Sequence, residues 1–587
     1  MALHTSVITT GPITPYVELK ADEGGEFIVH GPTEPPLQEL TTAELLQQQY
    51  DRYPEKVAVV SRWQKTTLTY RSLFDSSREI AQALVAHGVR PTDRVVVLAG
   101  NSIEYVELLF AVGGIGSVFT IMNPTFTAEE VLATVDSIGI IRFLLLVYWS
   151  LVFAIFIADR IGFRNNAKLL KELADKHQNT SLIVQLGTAE KVSSNVLSWH
   201  ELCHVQTSKT QPDLHSLEQY WGRDPQDALC IQFTSGTTGS RKATIGTHRN
   251  LINNALLVGS RLGLTPDDIL CCSPPLFHCF GLVCGPLATV IHGSTVIIPS
   301  DVFNADASLR AMSEESCTVV NAVPTMFQAM LDHAKAKTLA LRLCLRTGII
   351  AGSSLSETLI QRLSVELGLT GLAYPFDLGM TELSCVSFMT TPSKVSLLND
   401  RSSVGTPLPH TSAKVVDSDL ITLPPDTRGE LLVSGYLLFS GYYKNPQKTE
   451  EAIVRDAQGQ PWLRTGDIVT LSASGACENI APGDVEKVLE QHPDIATAAV
   501  VGIPNVRLGE MITAFIQRAP DAQGGLKSKD VKIWLRSRIA THKIPDHVLW
   551  IGEDAGVPDR LPVNASGKVL KTELSAIASS LVRGDLC

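Results

Sequence analysis

The run Val95-Val96-Val97-Leu98, entered from Arg94, offers no polar face. A strand with one wet side alternates apolar and polar residues. An unbroken aliphatic run must be covered on both sides, as strands of parallel sheets are. Helical patterns over Arg78 to His87 and Ile103 to Gly113 flank it, and Val57-Ala58-Val59-Val60 is a second strand-like run. The same alternation returns at Ser294-Thr295-Val296-Ile297-Ile298 and Cys317-Thr318-Val319-Val320. This order predicts an α/β fold with parallel sheets. Thr42-Ala43-Glu44-Leu45-Leu46 opens a helix with a capping candidate. Residues 1–40, rich in Pro, Thr and Gly, are expected to form a surface arm. After Gly475 a shorter unit is predicted, with helix 482–491, strand 496–502 and helix 529–540. The expected organisation is an N-terminal arm over 1–40, a large domain of stacked αβ sheets over 41–474, and a small α+β domain over 475–587.

At 587 residues the chain is long enough for several cores. A formal charge of −11 argues against a broad nucleic-acid surface. The 11 cysteines are scattered, with no CxxC pair and no metal-ligand spacing, and read as reduced intracellular thiols. The N-terminus lacks a charged region followed by an apolar run, so no secretory signal is expected. The last residues, Asp585-Leu586-Cys587, are not the peroxisomal tripeptide. The expected location is cytoplasmic or peroxisomal. The apolar stretch from Phe143 to Ile157 is shorter than the roughly 20 residues a span needs. Extending it through Phe163 would bury Asp159 and Arg160 at high cost. The expectation is no membrane tether.

The stretch Thr234-Ser235-Gly236-Thr237-Thr238-Gly239-Ser240-Arg241-Lys242 follows a buried strand end, Leu229 to Phe233. Its glycines let backbone N–H groups converge, and its hydroxyls and Lys242 add donors and charge. Such a loop suits a polyanion, most simply the phosphates of ATP. It is not the Walker A spacing, because Arg241 stands where the second Gly belongs and Ala243 follows Lys242. Four further segments carry chemistry. In Pro275-Leu276-Phe277-His278-Cys279-Phe280-Gly281, His278 can gate a carboxylate at a pocket mouth, or pack among core aromatics. Asp377-Leu378-Gly379-Met380-Thr381-Glu382 can hold ribose or adenine edges and a Mg²⁺ on Glu382, a hard oxygen ligand, or simply cap a helix. Asp467, after Arg464-Thr465-Gly466, suits ribose hydroxyls or ends a plain turn. Lys568, after Asn564-Ala565-Ser566-Gly567, can reach another domain's site or remain solvated.

Taken in this order, the five segments resemble the adenylate-forming superfamily of acyl-CoA synthetases, peptide-synthetase adenylation domains and luciferases. The resemblance extends through Leu68-Thr69-Tyr70, Met122-Asn123-Pro124-Thr125, Val323 to Phe327, Thr347 to Gly352 and Ser403 to Pro409. Phe277-His278 and Arg346-Thr347-Gly348 look like fungal acyl-CoA ligases of secondary metabolism. The resemblance implies a large N-terminal domain with a small mobile C-terminal domain. It implies ATP, Mg²⁺ and coenzyme A as cofactors, with a fatty or branched carboxylic acid converted to acyl-AMP and then acyl-CoA. By the same resemblance, Thr234 to Lys242 hold the β- and γ-phosphates. Gly352, Ser353 and Ser354 line the adenine, with Asp377 to Met380 beside it. Thr381 touches the α-phosphate, Glu382 holds Mg²⁺ and Asp467 binds ribose. Lys568 bridges carboxylate and α-phosphate, and His278 gates the carboxylate.

The chain departs from this pattern at several places. Leu378 stands where a Tyr is common, removing a stacking ring, and Arg241 and Ala243 replace a common Pro and Gly. Ser474-Gly475-Ala476-Cys477 runs directly into Glu478-Asn479-Ile480. The family's Gly-Arg-x-Lys-Asp segment and Gly-Gly pair are missing there, so the hinge is truncated and no residue carries over for its roles. Extra apolar residues stand within Phe143 to Ile157. Two alternatives stay open: an acyl-AMP ligase that loads an acyl-carrier protein, and a nucleotide-binding remnant without turnover.

Overall fold

A computed structural model gives the fold. It describes residues 18–21, 27–138, 152–177, 182–204, 221, 223–234, 242–337, 341–351, 357–374, 380–392, 405–479, 482–505, 509–520, 522, 525–539, 543–562 and 569–582.

Two largely parallel sheets form the bulk of the described chain. One has eight strands, in the order Leu197–Ser198, Leu182–Leu186, Val152–Ala158, Arg94–Leu98, Val118–Ile121, Ala228–Thr234, Lys242–Thr247 and Gly441–Tyr442. The last two pair antiparallel and the rest parallel. The other has seven, in the order Leu372–Ala373, Thr347–Ile350, Val319–Ala322, Ile269–Cys272, Thr295–Ile298, Val57–Ser61 and Thr66–Thr69, with only the final hairpin antiparallel.

The aliphatic run at Val95 now has its explanation. Side chains alternate across a strand, so Val95 and Val97 join a core shared with Val59, Leu270, Val296 and Val320 of the second sheet. Val96 and Leu98 point the other way, onto Val131 and Leu170 of helices Ala128–Ile138 and Ala167–His177. Helix Ile103–Gly114 is buried from Tyr105 to Gly114, as a helix belonging to that shared core must be. The capping candidate also holds, one residue earlier. Thr41 caps helix Thr42–Arg52, accepting from the Glu44 N–H while the Glu44 carboxylate accepts from the Thr41 N–H.

A third, antiparallel sheet was not anticipated. It is ordered Glu18–Ala21, Phe27–His30, Thr411–Val416, Gly429–Gly435, Pro461–Leu471 and Ile453–Arg455, and Cys477–Asn479 also pairs with Pro461–Leu471. The expected N-terminal arm is therefore tied down at Phe27–His30, where Val29 is fully buried. Ser472 to Gly475 make a tight turn, with Gly475 at φ +77°.

The last unit is a sheet of Ile495–Asn505, Gly509–Arg518 and His547–Trp550. Helices Pro482–Leu489 and Ser528–Arg536 cover one face, through Val485, Leu489, Val531 and Leu535. Helix Lys571–Val582 covers the other through Leu574 and Ala578. Arg428, just before strand Gly429–Gly435, reaches this unit and donates to Asp546 at 3.0 Å. Of the apolar stretch Phe143 to Ile157, residues 152–157 belong to strand Val152–Ala158, and 139–151 lie outside the described residues. Among the described residues, no helix is long and apolar enough to cross a membrane.

Candidate active site

A cavity of about 200 Å³ opens where strands Val118–Ile121 and Ala228–Thr234 end. Ligands of open α/β sheets collect outside such carboxyl ends. Ile121, Asn123, Phe126, Gln232, Phe233 and Thr234 form one side, and Phe277, His278, Cys279 and Thr381 complete it. Three residues expected from sequence, Thr234, His278 and Thr381, thus meet at one cavity.

Thr234 and Lys242 are register partners across an antiparallel pair. Residues 235–241, the rest of the expected phosphate loop, lie outside the described residues, as do Gly352 to Ser354, Asp377 to Gly379 and Lys568. Lys242 stands over the ring of Tyr442, its Nζ 5.0 Å from the centroid. The Tyr442 hydroxyl donates to Glu382 Oε1 at 2.9 Å. Burial, then the Glu382 carboxylate, pushes the Tyr442 phenol above its ordinary value, so it stays protonated as a donor. One ring thereby joins the expected phosphate cation to the expected metal carboxylate.

Met380, Thr381 and Glu382 sit on a pinned turn. Thr381–Leu383 form a single 3₁₀ turn, closed by Leu383 N–H donating to Met380 O at 3.0 Å. Ser384 and Cys385 follow at φ +59° and +118°, a backbone that L-residues adopt only under constraint. The constraint comes from Ser384 Oγ donating to Leu437 O at 2.7 Å and from Asn254, which exchanges bonds with Val386 in both directions. Glu382 itself is buried at 6% exposure. A buried carboxylate with one oxygen held by a hydroxyl is a hard oxygen ligand of the kind that suits a Mg²⁺ shared with substrate phosphates.

His278 caps the short helix Cys279–Leu282, its Nδ1 accepting from Phe280 N–H at 3.2 Å. Its pKa is raised, chiefly by the adjacent Cys279 thiol and against burial. Asp467 lies elsewhere, in strand Pro461–Leu471 and not among the cavity's lining residues. The expected turn before it is a bulge inside that strand, with Gly466 at φ +77° and a register shift opposite Glu430 and Leu432. Arg464 grips the Glu430 carboxylate through Nε and Nη2, the latter at 2.6 Å, and Gly466 N–H donates to the same carboxylate at 3.2 Å.

Tyr442 was not singled out from sequence, and Asn123, Gln232 and Cys279 stood inside named segments without a role of their own. The available signal for Tyr442 was Gly441, whose φ of +131° and lack of room beside Thr449 demand glycine next to the aromatic pair.

A family profile described as AMP-binding enzyme matches residues 46–443, and one described as AMP-binding enzyme C-terminal domain matches 484–568. The chain is similar to an acyl-CoA ligase, sidI, of Beauveria bassiana, at 36% identity over 98% of both chains. It is 37% identical to acyl-CoA ligase sidI of Aspergillus fumigatus, over 94% of each. Its fold resembles a solved anthranilate CoA ligase, AuaEII, in complex with anthranoyl-AMP, with a TM-score of 0.68 and 21% identity, covering 94% of this chain and 99% of that one. With a two-part family match along the chain and full-length relatives above 30% identity, the protein belongs to the AMP-binding enzyme family.

Proposed function

We propose that the protein is an ATP-dependent acid–thiol ligase that converts a carboxylic acid to acyl-AMP and then to acyl-CoA, in the manner its fungal relatives' names describe. One observation carries the reading: Thr234, His278 and Thr381 line a single cavity, flanked by the Lys242–Tyr442–Glu382 link.

In this reading a carboxylate oxygen attacks the α-phosphorus of ATP and pyrophosphate leaves. Two anions approach each other, so the groups that matter are donors gaining strength as charge moves to the leaving group. Lys242 and the loop Ser235 to Arg241 receive the β- and γ-phosphates, and Thr381 donates to the α-phosphate. Gly352 to Ser354 and Asp377 to Met380 hold the adenine, and Asp467 the ribose. His278 stands at the carboxylate. Lys568 bridges carboxylate and α-phosphate. Glu382 would hold Mg²⁺, whose chemistry when bound is to neutralise phosphate charge. A CoA thiolate then attacks the acyl carbonyl and AMP leaves.

Pyrophosphate release with a panel of fatty and branched acids, with and without CoA, tests this. Acid-dependent release together with CoA thioester formation supports it. Release without a thioester, restored by an acyl-carrier protein, makes the protein an acyl-AMP ligase instead. No release with any acid leaves a nucleotide-binding remnant.

A further inference from the structure

Helix His248–Leu262 carries a polar stripe through the protein interior. Asn250, Asn254 and Arg261 stand four and then seven residues apart, on one helix face, and all three are buried. Burying such groups is costly unless they are hydrogen-bonded. Each of the three donates to backbone carbonyls of remote segments. Asn250 Nδ2 donates to Leu438 O at 2.9 Å, and Arg261 donates to Met389 O at 2.7 Å and to Pro407 O at 3.2 Å.

Asn254 makes the most specific of these contacts. Its Oδ1 accepts from Val386 N–H at 3.1 Å while its Nδ2 donates to Val386 O at 2.6 Å. The side-chain amide pairs with both backbone groups of one residue, as a neighbouring strand would. Nδ2 also donates to the Tyr436 hydroxyl at 3.1 Å. Such a clamp needs a side chain that is donor and acceptor at once.

Val386 directly follows Ser384 and Cys385, whose positive φ values need an outside constraint. Just ahead of them is the turn that carries Thr381 and Glu382. That turn is tied to the segment Tyr436 to Phe439 as well. Ser384 Oγ donates to Leu437 O at 2.7 Å, and Phe439 N–H donates to Glu382 O at 3.0 Å. Asn254 touches both segments, through Val386 in one and Tyr436 in the other. Its helix continues from strand Lys242–Thr247, whose last residue caps it. One unbroken stretch, 242–262, therefore carries Lys242 at its start and the clamp on the Glu382 turn within its helix.

We propose that Asn254 is a positioning residue of the active site, whose carboxamide holds the turn presenting Thr381 and Glu382 in register with Lys242. It acts through the backbone from Val386 back to Thr381. The consequence for turnover rests on the ligase reading, in which Thr381 meets the α-phosphate and Glu382 the metal. The clamp itself does not.

Two variants of the full-length protein test this. Asn254→Leu keeps the approximate shape and removes both halves of the clamp. Asn254→Ala leaves room for water to satisfy Val386 without fixing it, and decides the matter where Asn254→Leu fails to fold. Hydrogen–deuterium exchange over residues 380–390, without nucleotide or metal, should be several-fold faster than in the wild type. Exchange in strands Ile495–Asn505 and Gly509–Arg518 should not change. Acid-dependent pyrophosphate release should lose about 10²-fold in kcat, the scale set by a displacement of about 1 Å. The Mg²⁺ concentration for half-maximal release should rise several-fold, which a smaller folded fraction would not cause. Unchanged exchange over 380–390 overturns the proposal. Faster exchange with kcat and Mg²⁺ dependence at wild-type values overturns it too. No release by the wild type with any acid refutes the ligase reading instead, and exchange over 380–390 then decides the clamp alone.

Discussion

The hydroxyl of Tyr442 donates to Glu382 at 2.9 Å while Lys242 rests 5.0 Å above the same ring. Strand Gly441–Tyr442 makes this possible by pairing Tyr442 with Thr244, two strand positions beyond Lys242, and Gly441 with Ile245. Tyr442→Phe keeps the ring and removes the donor. Leaving a buried carboxylate short of one partner costs about 1–3 kcal/mol. The expected outcome is a several-fold higher Mg²⁺ concentration for half-maximal pyrophosphate release. Tyr442→Leu, which also removes the ring face, should raise the KM for ATP as well. Unchanged Mg²⁺ and ATP dependence in both variants would mean the link is only packing.

Lys568→Ala should abolish acyl-adenylate formation yet leave thioester formation from supplied acyl-adenylate nearly intact. In the proposed reading the first step brings two anions together at Lys568, whereas the second does not. Single-turnover assays of each half-reaction separate the steps. Equal loss of both would refute the assigned role.

Glu107 is buried at 7% exposure in the core helix Ile103–Gly114. Burial is the main cause that raises its pKa from 4.5 to about 7. Between these values the folded chain holds a proton that the unfolded chain has released. Stability therefore falls as pH rises through this window, by about 3 kcal/mol in full. Glu107→Gln removes the titration while keeping the shape. Its gain in melting temperature should be larger at pH 8 than at pH 5, and an equal difference at both pH values would contradict this.

Arg428 and Asp546 join the antiparallel sheet to the last unit, and Asp546 also accepts from Ile512 N–H at 2.8 Å. The Arg428 side chain is only 10% exposed, so its bond is better protected from water than a surface pair. Arg428→Ala should speed proteolytic cleavage between Leu471 and Pro482 several-fold with little change in circular dichroism. An unchanged cleavage rate would show that the pair does not hold the units together.

The parallel sheets were legible because doubly covered strands write unbroken apolar runs, as from Val95 to Leu98. The third sheet was not. Phe27–His30 is four residues long, set among prolines and glycines, and its partner Thr411–Val416 is remote in sequence. Strand pairing over such distances leaves no local periodicity. Within the candidate site, residue chemistry marked Thr234 and Lys242 in one segment and Glu382 beside Thr381 in another. Tyr442 looks like any surface aromatic until the fold carries it across 60 positions to Glu382. The Gly466 turn was visible, but glycine suits a strand bulge as well as a turn, and only the pairing partner Glu430 decides between them.

The central claim is that the acid is activated at the α-phosphate of ATP. The most direct measurement supplies the acid giving the fastest pyrophosphate release, with ¹⁸O in its carboxylate, together with ATP and CoA, and weighs the nucleotide product by mass spectrometry. Attack by the carboxylate oxygen on phosphorus predicts AMP carrying one ¹⁸O, left behind when the thiol cleaves the acyl–oxygen bond. Unlabelled AMP, or ADP with labelled phosphate, would contradict it.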